Sequence, residues 1–250
     1  MHLKTSLHIH TKEDVSDGHA ISYDVYGLID RASELGFDVL GLTCHRKFVY
    51  KKEHGEYAQK KGITLIPGIE LALNFFFRQN HVLVLNCDRS AEEIKSFAEL
   101  SRYKKDNPHV FVIAPHPASA SGILGSIGKR KLKKFIHIFD AVEHSWLYTR
   151  RFNQNRKAEK IARGRGLPFI ATSDIHTMKY FNTDYLIVDS PDKEVASVFS
   201  AIRTGKYISC TRPKRVLSVF FMLSFFYLIY ILKIPLKFYR QKNLSVTAHE

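Results

Sequence analysis

Cysteine is scarce in this chain. Cys44, Cys87 and Cys210 are the three among 250 residues, and none belongs to a C-x-x-C pair. That excludes a disulfide framework and a paired-thiolate metal knuckle, and it fits a reducing compartment. Glycine-rich phosphate loops are also lacking. No G-x-G-x-x-G follows the first strand candidate, which argues against dinucleotide binding of the Rossmann kind. No internal repeat is visible. The N-terminus has no charged stretch leading into an apolar one, so no signal peptide is expected. With 45% hydrophobic and 25% charged residues, the composition does not suggest disorder.

Positive charge and histidine are plentiful. The net charge is +14, which favours anionic partners: nucleic acid, phosphorylated metabolites or an acidic membrane face. From residue 211 onward there are seven basic residues and one acid, leaving +8 for the first 210 residues. Those 210 residues alternate short strand patterns with amphipathic helical ones. Strands are predicted at 3–8, 39–43, 64–67, 81–85, 110–114, 140–143, 169–171 and 185–188. Between them lie helical patterns, the first capped by Ser22 and stopped by Gly36. Ser90 with Glu93 reads as a capping box, and Asp192 as the cap of the last helix. Such alternation implies parallel strands with helical crossovers, and about seven units imply an α/β barrel.

The predicted strands repeatedly end in metal-ligand residue types. The first runs into His8 and His10, followed by Ser16-Asp17-Gly18. The second ends at Thr43-Cys44-His45 and the third at Pro67-Gly68-Ile69-Glu70. His81, Pro115-His116-Pro117, Glu143 and Ser173-Asp174-Ile175-His176 follow. In a barrel, residues at the C-terminal ends of strands converge on one face. Alternate residues of a strand point the same way, so His8 and His10 can grip one ion, and Asp174 and His176 share that spacing. Imidazole with carboxylate suits Zn, Fe or Mn better than Mg or Ca alone. Cys87, Cys210 and His137 read as packed or surface residues.

The same residues resemble the motifs of the PHP (polymerase and histidinol phosphatase) superfamily, in the family's order, over about residues 3–210. The resemblance implies a distorted (β/α)7 PHP-type barrel with about two or three divalent ions (Zn, Mn or Fe). It implies that His8, His10, Glu70 and Asp174 hold one ion. Glu70, His81 and His116 would hold a second, with Glu70 bridging, and Asp17, His45 and His176 a third. Glu70, His116 and Asp174 would then be catalytic. The implied reaction is metal-dependent hydrolysis of a phosphate ester, by in-line attack of a metal-bridging hydroxide. The substrate would be a phosphorylated small molecule or a short nucleic acid; no protein partner is inferred. Arg46, Lys47 and Arg150 or Arg151 are candidates for holding a second anionic group.

One position departs from the family pattern: Cys44 stands where the family usually has Asp. The lost carboxylate could loosen the support of His45, the thiolate could bind a soft metal, or the residue could be a small buried one. On the first reading, Cys44→Asp would keep or raise activity. The departure also leaves open a catalytically inactive PHP-like nucleic-acid-binding module. The run Lys129-Arg130-Lys131-Leu132-Lys133-Lys134 could meet RNA phosphates or anionic lipid, or be a solvated helix face. It lacks interleaved aromatics, so it offers no stacking platform for bases.

Beyond the predicted barrel, 1–211, the segment 212–250 has a different composition. Residues 216–232 are seventeen positions without charge, proline or glycine, flanked by basic residues. Residues 216–236 are therefore expected to form a hydrophobic helix anchored to membrane lipid, with the catalytic part cytoplasmic.

Overall fold

The computed structural model describes residues 1–73, 79–117, 125–217, 219 and 224. Nine strands and six α-helices alternate in the order β1 (His2–Ile9), α1 (Val25–Glu34), β2 (Val39–Leu42), α2 (Lys52–Lys60), β3 (Thr64–Leu73), β4 (Asn80–Leu85), α3 (Phe97–Asp106), β5 (Phe111–Ala114), α4 (Gly128–Phe135), β6 (Ala141–His144), α5 (Asn155–Arg163), β7 (Phe169–Ala171), β8 (Tyr185–Asp189), α6 (Val195–Arg203) and β9 (Tyr207–Cys210). All strands join one sheet, ordered β7-β6-β5-β4-β3-β2-β1-β8-β9. Side chains draw the two ends together. The Tyr207 hydroxyl accepts from the Phe169 amide at 3.0 Å, and Ser209 Oγ from the Ala171 amide at 3.2 Å. The result is a nearly closed, barrel-like α/β sheet.

The expectation of parallel strands throughout needs correction. The pairs β3–β4, β4–β5, β1–β8 and β8–β9 are antiparallel. Between β3 and β4 the chain has only residues 74–79. A parallel return needs a dozen residues or more, so that connection can only reverse the strand. β9 was not anticipated. Its pattern is polar at Ser209 and exposed at Ile208, which hides a strand at the sheet's edge.

Helix boundaries follow local chemistry. α1 is capped by Asp24, whose carboxylate accepts from the Gly27 amide, rather than by Ser22. Gly36 follows its end at φ 71, a conformation glycine adopts without steric cost. The Ser90–Glu93 pattern is not a helix start. Asp88 caps a short 3-10 turn at Arg89–Glu93, and Ser96 with Glu99 forms the capping box of α3. Glu194, not Asp192, precedes α6.

The barrel interior is apolar at the end where the strands begin. Leu3, Leu7, Val39, Ile66, Leu83 and Phe111 pack there with Val198, Phe199 and Ile202 of α6. The Phe111 and Phe199 rings stack at 4.5 Å. Leu85 fills space left by two glycines: a Cβ at Gly41 or at Gly68 would lie 2.8 Å from its Cδ2. Each fully buried side chain of this size contributes roughly 1.5–3 kcal/mol.

Contacts divide the chain into two compact units, residues 1–146 with 153–212, and residues 147–152 with 213–250. In the second, the Lys214 amide donates to the Tyr148 carbonyl at 2.8 Å. Apart from residues 216, 217, 219 and 224, the proposed anchor 216–236 lies outside the described residues. Among the described residues, no helix is long and apolar enough to cross a membrane.

Candidate metal centre

Strand geometry delivers the ligands. The β1–β2 register shifts between Ser6 and Ile9. At this irregularity β1 passes from the core residue Leu7 to His8 and His10, both fully buried. Single bridges pair Ile9 with Ile175 and His45 with Glu70, tying four strand ends together two by two. Among the described residues, four non-glycine residues have positive φ, and three of them lie here: Arg46 (53°), His116 (65°) and Asp174 (43°). Such backbone costs of order 1–3 kcal/mol at each position and tends to collect at functional sites.

Glu70, from β3, is the hub. Its Oε2 lies 3.1 Å from His8 Nε2, 3.2 Å from His10 Nε2 and 3.1 Å from His45 Nε2. Its Oε1 lies 2.7 Å from His81 Nδ1 and 3.4 Å from His116 Nε2. Asp174 Oδ1 approaches His8 Nε2 at 3.5 Å and His10 Nε2 at 3.4 Å. Its other oxygen accepts from Trp146 Nε1 at 3.2 Å. His176 Nε2 is 3.3 Å from Asp17 Oδ2. Nitrogens of His10, His45 and His176 also cluster within 4.8 Å.

The structure therefore brings together all nine expected ligands except for one pairing. His45 turns Nε2 to Glu70 and gives its Nδ1 to Asp14 at 2.9 Å, leaving Asp17 3.9 Å away. Asp17 thus faces His176, not the outward nitrogen of His45.

Behind the ligands stand carboxylates that fix the rings. Glu143 Oε2 takes His8 Nδ1 at 2.8 Å, and Asp14 Oδ2 takes His10 Nδ1 at 2.8 Å. Asp14 is saturated: it also accepts from the amides of His45, Ser16 and Asp17. Burial pushes its carboxyl up, but His10 and His45 outweigh that and hold it far below the usual carboxylate range. Sequence reasoning missed Asp14, which sits in a loop rather than at a strand end. The signal available was its spacing, four residues after His10. Glu143, at the end of β6, backs His8.

Do these residues fit cations? Nδ1 of His8 and of His10 each faces a carboxylate, and their Nε2 atoms, 3.0 Å apart, both point to Glu70 and Asp174. Among the described residues, His116 Nδ1 and Glu143 Oε1 are buried without a hydrogen-bond partner. Burial lowers the His8 imidazole, yet Asp174, Glu70 and Glu143 raise it to about 10. His10 goes the same way, while Glu70 and Asp174 are held well below ordinary carboxylates. His81 goes the other way, because burial and the neighbouring His45 and His116 dominate there. A pocket that draws protons this strongly onto imidazole is built to hold cationic charge, and the donor set fits transition-metal ions.

Cys44 is neither a ligand nor a vacancy. It is fully buried among Leu40, Leu42 and Ile175. Its sulfur lies 3.4 Å from Thr11 Oγ1, and burial raises its pKa. Asp14 already supports His45, so the expectation that Cys44→Asp keeps or raises activity is replaced by one of destabilisation. Arg46 and Lys47 are exposed, and Arg46 donates to Ser16 Oγ at 3.2 Å. Arg150 and Arg151 belong to the second unit.

Comparison with known proteins finds similar folds. A two-domain protein with a predicted PHP-like metal-dependent phosphoesterase from Bacteroides vulgatus matches at 18% identity and TM-score 0.65, covering 85% of this chain. This chain spans 65% of that protein's length. A putative metal-dependent phosphoesterase from Bifidobacterium adolescentis matches at 14% identity and TM-score 0.55, over 70% of this chain and 88% of that one. The lesion-specific endonuclease EndoQ of Pyrococcus furiosus matches at 12% identity and TM-score 0.59, over 84% and 58%. No curated protein matches significantly. The PHP-associated family model matches residues 152–207. The PHP domain model matches residues 6–147, more than half of the chain, and the chain belongs to the PHP domain family.

Proposed function

We propose that the barrel is a metal-dependent phosphoesterase that hydrolyses a phosphomonoester or a nucleotide or oligonucleotide phosphate. The observation that carries this reading is the two-sided engagement of Glu70. One oxygen faces His8, His10 and His45, the other His81 and His116. A carboxylate so placed can serve two ion sites at once.

Divalent ions bound there would neutralise phosphate oxygens and acidify a water molecule. The chain's own contribution is to position groups. Glu143 and Asp14 orient His8, His10 and His45. Trp146 holds Asp174 so that Oδ1 points inward, where it can take a proton from the attacking water. His116 turns Nε2 towards Glu70, where it can help to hold an ion. Arg46 and Lys47 would meet a second anionic group. Against the reading of an inactive binding module stand the buried core position of Cys44 and the clustering of the candidate ligands.

A panel of nucleoside bisphosphates, cyclic phosphates, short RNA and histidinol phosphate, run with Mn, Zn and Fe, tests the proposal. Turnover that requires a metal and vanishes in Glu70→Ala is expected. No turnover on any ester with any metal would contradict it. Membrane attachment through residues 216–236 is a separate proposal resting on their apolar sequence. The full chain should pellet with membranes, and a chain ending at Thr211 should not.

A further inference from the structure

The barrel's net positive charge comes from two segments. Residues 128–139 and 153–165 carry ten Lys and Arg against one acid, Glu159. All other residues up to 210 carry 21 basic and 22 acidic side chains. The two segments form α4 and α5, which pack on each other beside neighbouring strands. Their apolar faces turn inward through Leu132, Ala158 and Ala162. Outward, α4 exposes Lys129, Arg130, Lys133 and Lys134. α5 exposes Arg156, Lys157, Lys160 and Arg163, and Glu159 is held by Arg163 at 2.9 Å.

This placement works against helix stability. Neither helix has an acid in its first turn or a side-chain N-cap. Lys129, Arg130, Arg156 and Lys157 instead crowd the ends where the helix dipole is positive. A bound polyanion would offset that cost.

The face also leads to the metal centre. His81 donates its amide to Gly125 just before α4, at 2.7 Å, and Lys131 reaches Asn80 at 2.9 Å. At the start of α5, Asn155 holds Ser145 by both backbone groups, beside the Trp146 that supports Asp174. Trp146 and Tyr180, half-buried with ring centroids 5.7 Å apart, offer a base something to stack on next to that carboxylate. Among the described residues, neither helix exposes a large apolar side chain of the kind an interfacial membrane helix inserts.

We propose that the α4–α5 face is a track for the phosphate backbone of single-stranded nucleic acid, leading a phosphodiester to the metal centre. Delivery to the centre rests on the phosphoesterase reading; binding along the track does not. Recognition is by charge and therefore indifferent to sequence.

The test uses the full chain and a variant combining Lys129→Gln, Arg130→Gln, Arg156→Gln and Lys157→Gln. Anisotropy of a labelled single-stranded oligonucleotide is followed in metal-free buffer over a salt series. The parent should bind with strong salt dependence. In the variant, the slope of log Kd against log salt should drop by about 3, and low-salt affinity by at least about tenfold. Its Tm should not fall, since the removed cations disfavour the helix ends. Turnover of bis(p-nitrophenyl) phosphate should be unchanged while oligonucleotide cleavage drops. Absence of oligonucleotide binding by the parent, or an unchanged slope in the variant, overturns the track. So does binding to phosphatidylserine vesicles that oligonucleotide does not displace and the variant loses. If the small ester is never hydrolysed but the variant loses oligonucleotide binding, the phosphoesterase reading fails and the track stands.

Discussion

At the floor of the barrel, Phe111 stacks on Phe199, and Leu85 fills the space over Gly41 and Gly68. At the mouth, a few residues further along the same strands, six histidines and five carboxylates crowd together. Three non-glycine residues there have positive φ, and two buried polar atoms have no partner among the described residues. The floor satisfies packing rules with apolar atoms alone. The mouth breaks several rules at once, and the breaches centre on Glu70. One sheet thus does two jobs, and the stability supplied at one end tolerates strain at the other.

The sharpest way to break this contrast is at the mouth. Glu70→Ala should lower kcat/KM by at least about 1,000-fold and abolish the rise in Tm that added metal gives the parent. Steady-state kinetics and thermal unfolding with and without Mn report both. Near-parental turnover at saturating metal would mean that Glu70 does not serve two ions.

The floor should behave in the opposite way. Phe199→Ala should cost about 3–5 kcal/mol in urea unfolding while leaving metal content per folded chain unchanged. A loss of metal with little loss of stability would erase the distinction between the two ends.

Asp14→Asn sharpens the comparison, since this residue touches ligands rather than substrate. Metal affinity should fall about 10–100-fold. With metal restored to saturation, kcat should recover, and calorimetric titration separates the two effects.

Protonation provides a gentler probe. The folded His8 imidazole titrates near 10 in the metal-free chain, above its ordinary 6.5. Its protonated form therefore stabilises the fold fully below pH 6.5, and that contribution is lost as pH rises towards 10. The metal-free chain should lose stability across that window. Metal affinity should rise over the same range, because proton and metal compete for the same nitrogens. Flat profiles for both would contradict the assignment.

How legible was this in the sequence? Strand-end ligands were readable because β-strands place residues with a period of two, and a barrel gathers their ends. His8, His10, Glu70 and Asp174 follow from that. Asp14 was not readable: its role depends on a loop folding under β1 so that one oxygen serves two rings and an amide. Cys44 misled because a position was weighed without its neighbour, which already supplied the carboxylate. The reversed strands β4, β8 and β9 were missed because alternation of strand and helix suggests parallel crossovers, although the gap before β4 was too short for one. Ser90–Glu93 and Ser96–Glu99 carry the same capping pattern, and only tertiary packing chose between them.

The central claim is that the buried histidines and carboxylates form a multinuclear metal centre. Elemental analysis of the full chain after gentle purification and reconstitution, with the quenching of Trp146 followed as metal is added, tests it most directly. The account predicts about two or three transition-metal ions per chain, with Trp146 responding because it donates to Asp174. Less than about one equivalent, with no uptake on reconstitution and no response from Trp146, would contradict it.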